Sequence, residues 1–364
     1  MSKNKKHVLV GMSGGVDSTV TAALLLKKDY FVTGVTMKIW DGKPGTFEST
    51  RNACYGPNEV QDIEETAKIA RDLNIPFFVI DLVDEYKKCV LDYFQAEYLV
   101  GRTPNPCVVC NKKIKFSFLL EKARQRNIPF DYFATGHYAR IEFDPVGQRY
   151  LLKKSIDRHK DQSYFLFALK QEQLQRTLFP LGSFTKKEVR QTAKEFGLSV
   201  HSKSESQDFF ACRDYTVLFD EKSKPGPIID DQGNIIGKHK GIMYYTIGQR
   251  KGVGVATGKP EHVINIDHEH NTVRVGPPEK LLASKLSVTQ LNWISMVTLS
   301  QPLKVKAKIR QKHTAAEALV EADRHDRVLV TFEQPQKAIT PGQMAVFYRD
   351  DEVVGGGTIE KVVP

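Results

Sequence analysis

The 364-residue chain has no apolar run close to the length that a membrane-spanning helix requires, which is about 18 consecutive residues. Residues 1–6 are polar, and no apolar segment of the signal-peptide kind precedes the first hydrophobic run. We therefore expect a cytoplasmic protein with no membrane partner. The chain has only 5 cysteines, and in a reducing compartment we do not expect them to form structural disulfides.

An acidic surplus is also missing. Lysine and arginine number 53 against 43 aspartates and glutamates, which gives a formal net charge of +10. A basic surplus suits a polyanionic partner such as a nucleic acid, although many basic proteins bind none. The length and the ordinary globular composition allow two or three domains.

A glycine loop near the N-terminus carries the clearest chemical signal. Residues 8–18 read VLVGMSGGVDS, which predicts a buried strand, a tight turn and the start of a helix. Gly14 and Gly15 let the backbone approach a ligand, and the helix N-terminus favours an anion. The loop has no lysine of the kind that the common nucleotide-binding loop requires. It resembles the PP-loop of ATP pyrophosphatases, and the alternative is a plain glycine turn.

The first ~200 residues alternate strand and helix patterns, which predicts an α/β fold with a doubly wound parallel sheet. The predicted strands after the first cover residues 31–37, 75–82 and 130–134, and the predicted helices cover residues 60–73, 84–99 and 114–126. Ligands on such sheets bind beyond the carboxyl ends of the strands. The glycine loop and residues 135–137 both lie at such ends.

Beyond about residue 205 the helical pattern fades, and short β-like runs separated by glycine and proline turns follow. We predict a small central β-rich domain and a C-terminal β-barrel. The predicted domains are residues 1–205, 206–280 and 281–364.

Six sequence blocks allow a family to be recognised. They are GMSGGVDS (11–18), TPNPC (103–107), ATGHYAR (134–140), KDQSYFL (160–166), YTIGQRKG (245–252) and PGQMAVFY (341–348). In these blocks, and over nearly its whole length, the chain resembles the tRNA-specific 2-thiouridylases. The resemblance implies a PP-loop catalytic domain, a central domain and a barrel that help to hold tRNA. It implies an enzyme, a tRNA-uridine 2-sulfurtransferase, that uses ATP to replace the 2-oxygen of the wobble uridine with sulfur.

The resemblance also implies an ATP site with Mg²⁺. The residues assigned to the phosphates are Gly11, Met12, Ser13, Gly14, Gly15, Val16, Asp17 and Ser18. Asp17 is expected to orient the magnesium–pyrophosphate end, because a carboxylate suits a hard cation. Met37 and Gly136 match positions that flank the adenosine, although Met37 equally fits a core methionine.

Cys107 is the expected nucleophile. It follows a proline-rich segment, residues 103–106, which is incompatible with a helix interior and is expected to expose the thiol. Most family members carry a second, persulfide-bearing cysteine where this chain has Phe210. Cys212, two residues further on, is one candidate for that role.

A second sulfur route involves Cys54, Cys107 and Cys110. A C-x2-C pair and a further loop cysteine are candidate ligands of a [4Fe–4S] cluster with one open iron. A tetrahedral zinc site is a near alternative, and ordinary packing of Cys110 with an incidental Cys54 is another. The sequence leaves the cluster and the persulfide route open.

The expected partners are a tRNA with a wobble uridine and a sulfur-donor protein, and we expect a monomer. By resemblance and by polarity, the candidate tRNA contacts are Asn105, His137, Arg140, Lys160, Asp161, Gln162 and Gln343. Residues 304–310 alternate basic and apolar side chains. As a strand they would direct Lys306, Lys308 and Arg310 to one face, as a phosphate track or as a solvated edge strand protected by lysines.

Two other functions compete with this one. Another PP-loop synthetase or amidotransferase would adenylate a small carboxylate, but it would need neither Cys107 nor a β-rich tail. A non-catalytic RNA-binding protein would have no use for an intact glycine loop.

Overall fold

The structure, a computed structural model, describes residues 5–42, 53–202, 208–210, 218–219, 223–255, 258–324 and 326–363. The chain forms two compact units, each assembled from separate stretches of sequence. The first unit comprises Met1–Val90, Cys107–Arg213 and Asp351–Val353, and the second comprises Leu91–Pro106, Asp214–Asp350 and Val354–Pro364. The three consecutive domains predicted above stay a prediction.

The helices and strands are numbered in chain order. The strands are β1 (His7–Gly11), β2 (Phe31–Lys38), β3 (Ala53–Tyr55), β4 (Phe77–Asp81), β5 (Tyr132–Thr135), β6 (Ala139–Asp144), β7 (Arg149–Lys154), β8 (Thr177–Leu178), β9 (Asp208–Phe210), β10 (Gly226–Ile229), β11 (Ile235–His239), β12 (His262–Asp267), β13 (Thr272–Gly276), β14 (Leu282–Trp293), β15 (Leu303–Lys308), β16 (Ala316–Arg324), β17 (Arg327–Lys337), β18 (Met344–Arg349) and β19 (Glu352–Val363). The α-helices are α1 (Val16–Lys27), α2 (Glu59–Asp72), α3 (Val83–Tyr86), α4 (Asp92–Leu99), α5 (Pro106–Val109), α6 (Leu119–Gln125), α7 (Ser163–Leu166), α8 (Gln171–Gln175) and α9 (Lys186–Glu195). Two π-helical segments, Lys87–Leu91 and Cys110–Phe118, join α3 to α4 and α5 to α6. None of the described helices is long and apolar enough to cross a membrane.

The first unit is built on a five-stranded parallel sheet in the order β4-β2-β1-β5-β8. Val8, Leu9 and Val10 of the central strand are fully buried, as a parallel strand covered on both faces requires. Helices α1 and α9 contribute Val20 and Val189 to the same core. The prediction of a parallel α/β sheet is confirmed.

Two smaller pairings complete the first unit. The antiparallel hairpin of β6 and β7 pairs with Glu352 and Val353. Strand β3 pairs in parallel with β9, and this register places Tyr55 opposite Phe210.

The helix predicted over residues 114–126 begins earlier in the structure. A continuous helical stretch runs over residues 106–125, with the π-helical segment at its centre. Pro106 is tolerated because the first turn of a helix has no intrahelical partner for its N–H groups. The prediction of an exposed loop thiol was therefore wrong: Cys107 lies in the first helical turn and is half-buried.

The second unit contains two β-structures. Four strands form a sheet in the order β11-β10-β13-β12, with Ile228, Val263 and Val273 in its core. The C-terminal strands follow the order β14-β17-β16-β15-β18-β19, and pairing of β14 with β19 closes them into a six-stranded barrel. Alternate residues such as Val305 and Ala307 point into the barrel core. The predicted C-terminal barrel is confirmed.

Candidate active site

The glycine loop, residues 11–18, connects the carboxyl end of β1 to the first turn of α1. Gly14 has a φ of +69°, which favours glycine, and Gly15 occupies the N-cap position without a side chain to cap the helix. The Ser18 hydroxyl accepts a hydrogen bond from the Ser13 N–H and donates to the Gly15 carbonyl, both at 3.2 Å. This compact loop leaves the helix N-terminus able to receive an anion.

Strand β5 ends against this loop. A Cβ at Gly136 would lie 2.8 Å from the backbone of Asp17 and Ser18, so only glycine fits there. Met37, near the end of β2, is half-buried. Met12 is 3% exposed and packs in the core, so its backbone rather than its side chain can line the loop.

Asp17 is held by two residues that sequence reasoning did not connect with it. The Lys186 Nζ lies 2.8 Å from both carboxylate oxygens of Asp17, and the Tyr138 hydroxyl donates to Oδ1 at 2.8 Å. Both carboxylate oxygens therefore accept hydrogen bonds from protein groups. These contacts leave the expected role of Asp17 toward Mg²⁺ and pyrophosphate a prediction.

Lys186 is the functional candidate that sequence reasoning missed. It is the first residue of α9, and its N–H donates to the Asp157 carboxylate at 2.9 Å. Thr185 and Glu188 form a capping box that fixes this helix start. The T-x-x-E pattern predicts the helix start, but it carries no sign that Lys186 reaches Asp17.

Three thiols and a lysine share one region of the first unit. The pKa of the Cys110 thiol is raised to about 11: burial raises it most, the Lys115 ammonium lowers it, and Cys54 raises it. Burial lowers the pKa of Lys115, but the thiols of Cys110, Cys54 and Cys107 outweigh this effect and the net pKa is raised. Lys115 therefore remains a cation beside the thiols.

The expected position of the relay cysteine also lies near this region. The backbone at Phe210 is opposite Tyr55, one residue from Cys54 on β3. Cys54 is exposed and is a free thiol. Cys212 lies outside the described residues, so its relay role stays a prediction.

The structure does not support a metal site at these cysteines. Among the described residues, no group of three or more His, Cys, Asp or Glu side chains could hold a metal ion. The arrangement of Cys54, Cys107 and Cys110 therefore does not fit the iron–sulfur or zinc site that their spacing suggested.

His137 lies at the end of β5, next to the glycine that contacts the loop. Its Nδ1 is 2.6 Å from the Thr135 hydroxyl, and its ring packs against Phe116 and Phe179. Burial lowers the pKa of His137 well below its usual range, and Lys115 lowers it further. The imidazole is therefore neutral near pH 7 and does not act as a cation toward phosphate.

Other predicted tRNA contacts in the first unit have structural roles. Arg140 forms an ion pair with Asp351, and its Nε donates to the Lys154 carbonyl at 2.9 Å.

The buried carboxylate of Asp161 accepts from the N–H of Ser155 at 3.1 Å, and its second oxygen accepts from the hydroxyl of Ser163 at 2.9 Å. Gln162 accepts from the Tyr138 N–H at 2.9 Å, and the N–H of Lys160 donates to the Asp157 carbonyl at 3.1 Å. Their tRNA roles stay predictions.

In the second unit, the basic side chains near β15 are partly paired. Lys306 and Glu317 form an exposed ion pair at 3.3 Å. Arg310 donates to the carbonyls of Lys337 and Ala338 at 3.1 and 3.3 Å. Lys308 is half-buried. Buried residues alternate with the lysines of β15 as predicted, but these contacts occupy part of the predicted phosphate track.

Asn105 and Gln343 also lie in the second unit. Asn105 is 9% exposed. The Gln343 side-chain amide donates to the carbonyls of Thr103 and Pro104, at 3.2 Å each. Gln343 therefore contacts the segment that leads into Cys107.

The sequence matches three described families in succession. Residues 6–212 match the tRNA methyl transferase HUP domain, residues 219–277 the tRNA methyl transferase PRC-barrel domain, and residues 283–359 the aminomethyltransferase beta-barrel domain. The chain is 47% identical to the tRNA-specific 2-thiouridylase MnmA of Acetivibrio thermocellus, over 98% of this chain and 100% of that protein. It is 46% identical to the protein of the same name from Desulforamulus reducens, over 99% of this chain and 98% of the relative. A solved 4-thiouridine synthetase–RNA complex with bound ATP is 15% identical, covers 57% of this chain and 46% of its own, and has a TM-score of 0.34, too low to support an argument.

Proposed function

The chain belongs to the tRNA-specific 2-thiouridylase family, and from this membership we propose that it replaces the 2-oxygen of the wobble uridine in tRNA with sulfur at the expense of ATP. The observation that carries the proposal is the 47% identity over essentially the full length of both chains. The glycine loop on a parallel sheet and the thiols of the same unit supply the two chemical functions that the reaction needs.

The first step activates the uracil oxygen, which is a poor leaving group. The uracil 2-oxygen attacks the α-phosphorus of ATP, pyrophosphate leaves, and the base becomes an adenylate. Residues 11–18 bind the phosphates through backbone N–H groups and the dipole of α1. We assign to Lys186 the neutralisation of charge on the departing pyrophosphate, because it is the cation held beside the loop by Asp17. Mg²⁺ is proposed to arrive on the ATP phosphates.

The second step delivers sulfur. A cysteine persulfide, loaded by a sulfur-donor protein, attacks C2 of the adenylated base, and AMP leaves with the original oxygen. The Cys107 thiolate then attacks the sulfur of the carrier cysteine and breaks the sulfur–sulfur bond that came from the persulfide. The outer sulfur stays on C2 as 2-thiouridine, and the two cysteines form a disulfide that a thiol reductant restores. Lys115 favours the thiolate forms of its neighbours. Cys212 and Cys54 are the alternative persulfide carriers.

The proposal predicts a defined set of products. Purified protein with ATP, a persulfide donor, a thiol reductant and tRNA should give 2-thiouridine, AMP and pyrophosphate, which nucleoside mass spectrometry and phosphate analysis detect. Without the reductant, which could itself cleave the disulfide between the carrier cysteine and the base, the Cys107→Ser protein should still release pyrophosphate but release no 2-thiouridine. ADP and phosphate as products, or adenylation of a small carboxylate instead of tRNA, would contradict the proposal.

A further inference from the structure

Thr103 and Pro104, which precede Cys107 in the chain, belong to the second unit and contact the C-terminal barrel of that unit. The Thr103 N–H donates to the Pro341 carbonyl at 2.8 Å. The Gln343 amide donates to the Thr103 and Pro104 carbonyls, at 3.2 Å each. A glutamine amide carries two N–H donors, so these two contacts use its donor capacity.

Gly342 makes this approach possible. Its φ is +91°, and a Cβ there would lie 2.9 Å from both the N and the O of Thr103. The Gly342 N–H donates to the Ile359 carbonyl at 2.9 Å, and the Ile359 N–H donates to the Gln343 carbonyl at 2.8 Å. The backbone of Gly342 and Gln343 is therefore hydrogen-bonded to Ile359 on β19, and the close approach of Thr103 leaves no room for a side chain at position 342.

Arg102 fixes the start of the same segment. Its Nε is 2.7 Å from a Glu97 carboxylate oxygen, and its Nη2 is 3.4 Å from the Ile359 carbonyl. Thr103 Oγ1 lies 3.4 Å from Thr246 Oγ1. Residues 102–104 thus form hydrogen bonds with helix α4 through Glu97 and with the barrel through Ile359 and Gln343.

We infer that Gln343 is a positioning residue, which fixes the Thr103–Pro104 backbone and so the start of the helical turn that carries Cys107. We call this contact of residues 341–343 with Thr103 and Pro104 the Gln343 latch. The inference rests on the proposed function only for its kinetic consequence. In the free protein the amide donors are engaged by the chain itself, so contact of these N–H groups with RNA would require the latch to open.

The first test is hydrogen exchange of the Thr103 amide in the free protein, without tRNA. Gln343→Ala should accelerate exchange at least about fivefold, the loss expected for about 1 kcal/mol of hydrogen bonding. Gln343→Glu should do the same, because it keeps the shape but removes both donors. The control is Gln334→Ala, an exposed glutamine of the same barrel. The amide of the fully buried Val346 on β18 serves as an internal reference.

Gly342→Ala tests the latch from its other side, because the added Cβ must displace Thr103. It should accelerate Thr103 exchange by a similar factor. Gly233→Ala is the matched control: its φ is +96°, and nothing lies within 4 Å of the added Cβ. Unchanged Thr103 exchange in all Gln343 and Gly342 variants would overturn the inference.

The kinetic test separates positioning from RNA contact. Gln343→Ala should lower kcat for thiolation at least about fivefold and leave KM for tRNA within about twofold. A raised KM with unchanged kcat and unchanged Thr103 exchange would assign Gln343 to RNA contact and refute the latch. If the wild-type protein forms no 2-thiouridine, the proposed function fails, and the exchange experiment alone still decides the latch.

Discussion

The carboxylate of Asp17 is held by Lys186, 169 residues further along the chain. The glycine loop could be predicted because its strand, turn and helix start occupy consecutive residues. The role of Lys186 could not, because it depends on the packing of α9 against α1 through Val189 and Val20. No local pattern reports that contact.

Replacing Lys186 tests the assignment of charge neutralisation. Lys186→Met should slow pyrophosphate release about 10²-fold, the usual effect of losing one group that stabilises transition-state charge. Lys187→Met is the matched control, because the neighbouring lysine is exposed and has no contact with Asp17 among those described. Equal effects of the two substitutions on pyrophosphate release would refute a specific role for Lys186.

The Cys110 thiol gives a pH-dependent test. Its pKa is about 11, because burial raises it more than the Lys115 ammonium lowers it. The thiolate fraction, and with it the alkylation rate, should therefore rise as the pH approaches 11. Removing the cation in Lys115→Met should raise this pKa further, which moves the rise to higher pH. Site-resolved mass spectrometry after iodoacetamide treatment measures the profile. The exposed Lys113→Met should leave it unchanged, and an unshifted profile in Lys115→Met would contradict the electrostatic account.

At the scale of helices and strands, the stretch over residues 106–125 shows where prediction from sequence stops. Its second half was predicted by apolar spacing, but its start at Pro106 was missed because prolines usually indicate a loop. The centre is π-helical, so the 3.6-residue period does not describe it. The parallel strands and the barrel were predictable, because their apolar runs and alternation directly reflect burial.

Strand β15 tests whether the barrel contributes to tRNA binding through charge. Lys306→Glu and Lys308→Glu should each weaken tRNA affinity severalfold, and each should reduce the slope of log affinity against log salt by about 1. The exposed pair of Lys306 with Glu317 is worth little to stability, so the fold should be retained. The double variant Lys306→Glu with Glu317→Lys exchanges the two members of this ion pair and restores the local net charge. Its tRNA affinity should return to within about twofold of the wild-type value. Unchanged salt slopes in the single variants would refute the phosphate track.

At the scale of the whole molecule, sequence order and spatial grouping differ. Residues 91–106 lie early in the chain but belong to the compact unit that contains the barrel, and residues 351–353 lie late but belong to the unit with the parallel sheet. Such exchanges arise from long-range contacts, for example that of Gln343 with Thr103, which no local pattern reveals. The net charge of +10 is a whole-molecule property that can be calculated directly from the sequence, and it suits a polyanionic partner.

The central claim is that ATP activates the 2-oxygen of the wobble uridine before sulfur replaces it. The most direct measurement uses tRNA whose wobble uridine carries ¹⁸O at position 2, incubated with the protein, ATP, a thiol reductant and a persulfide donor. Mass spectrometry should find the ¹⁸O in the phosphate of AMP, in an amount equal to the 2-thiouridine formed. Formation of 2-thiouridine with unlabelled AMP, or with no AMP, would contradict the account.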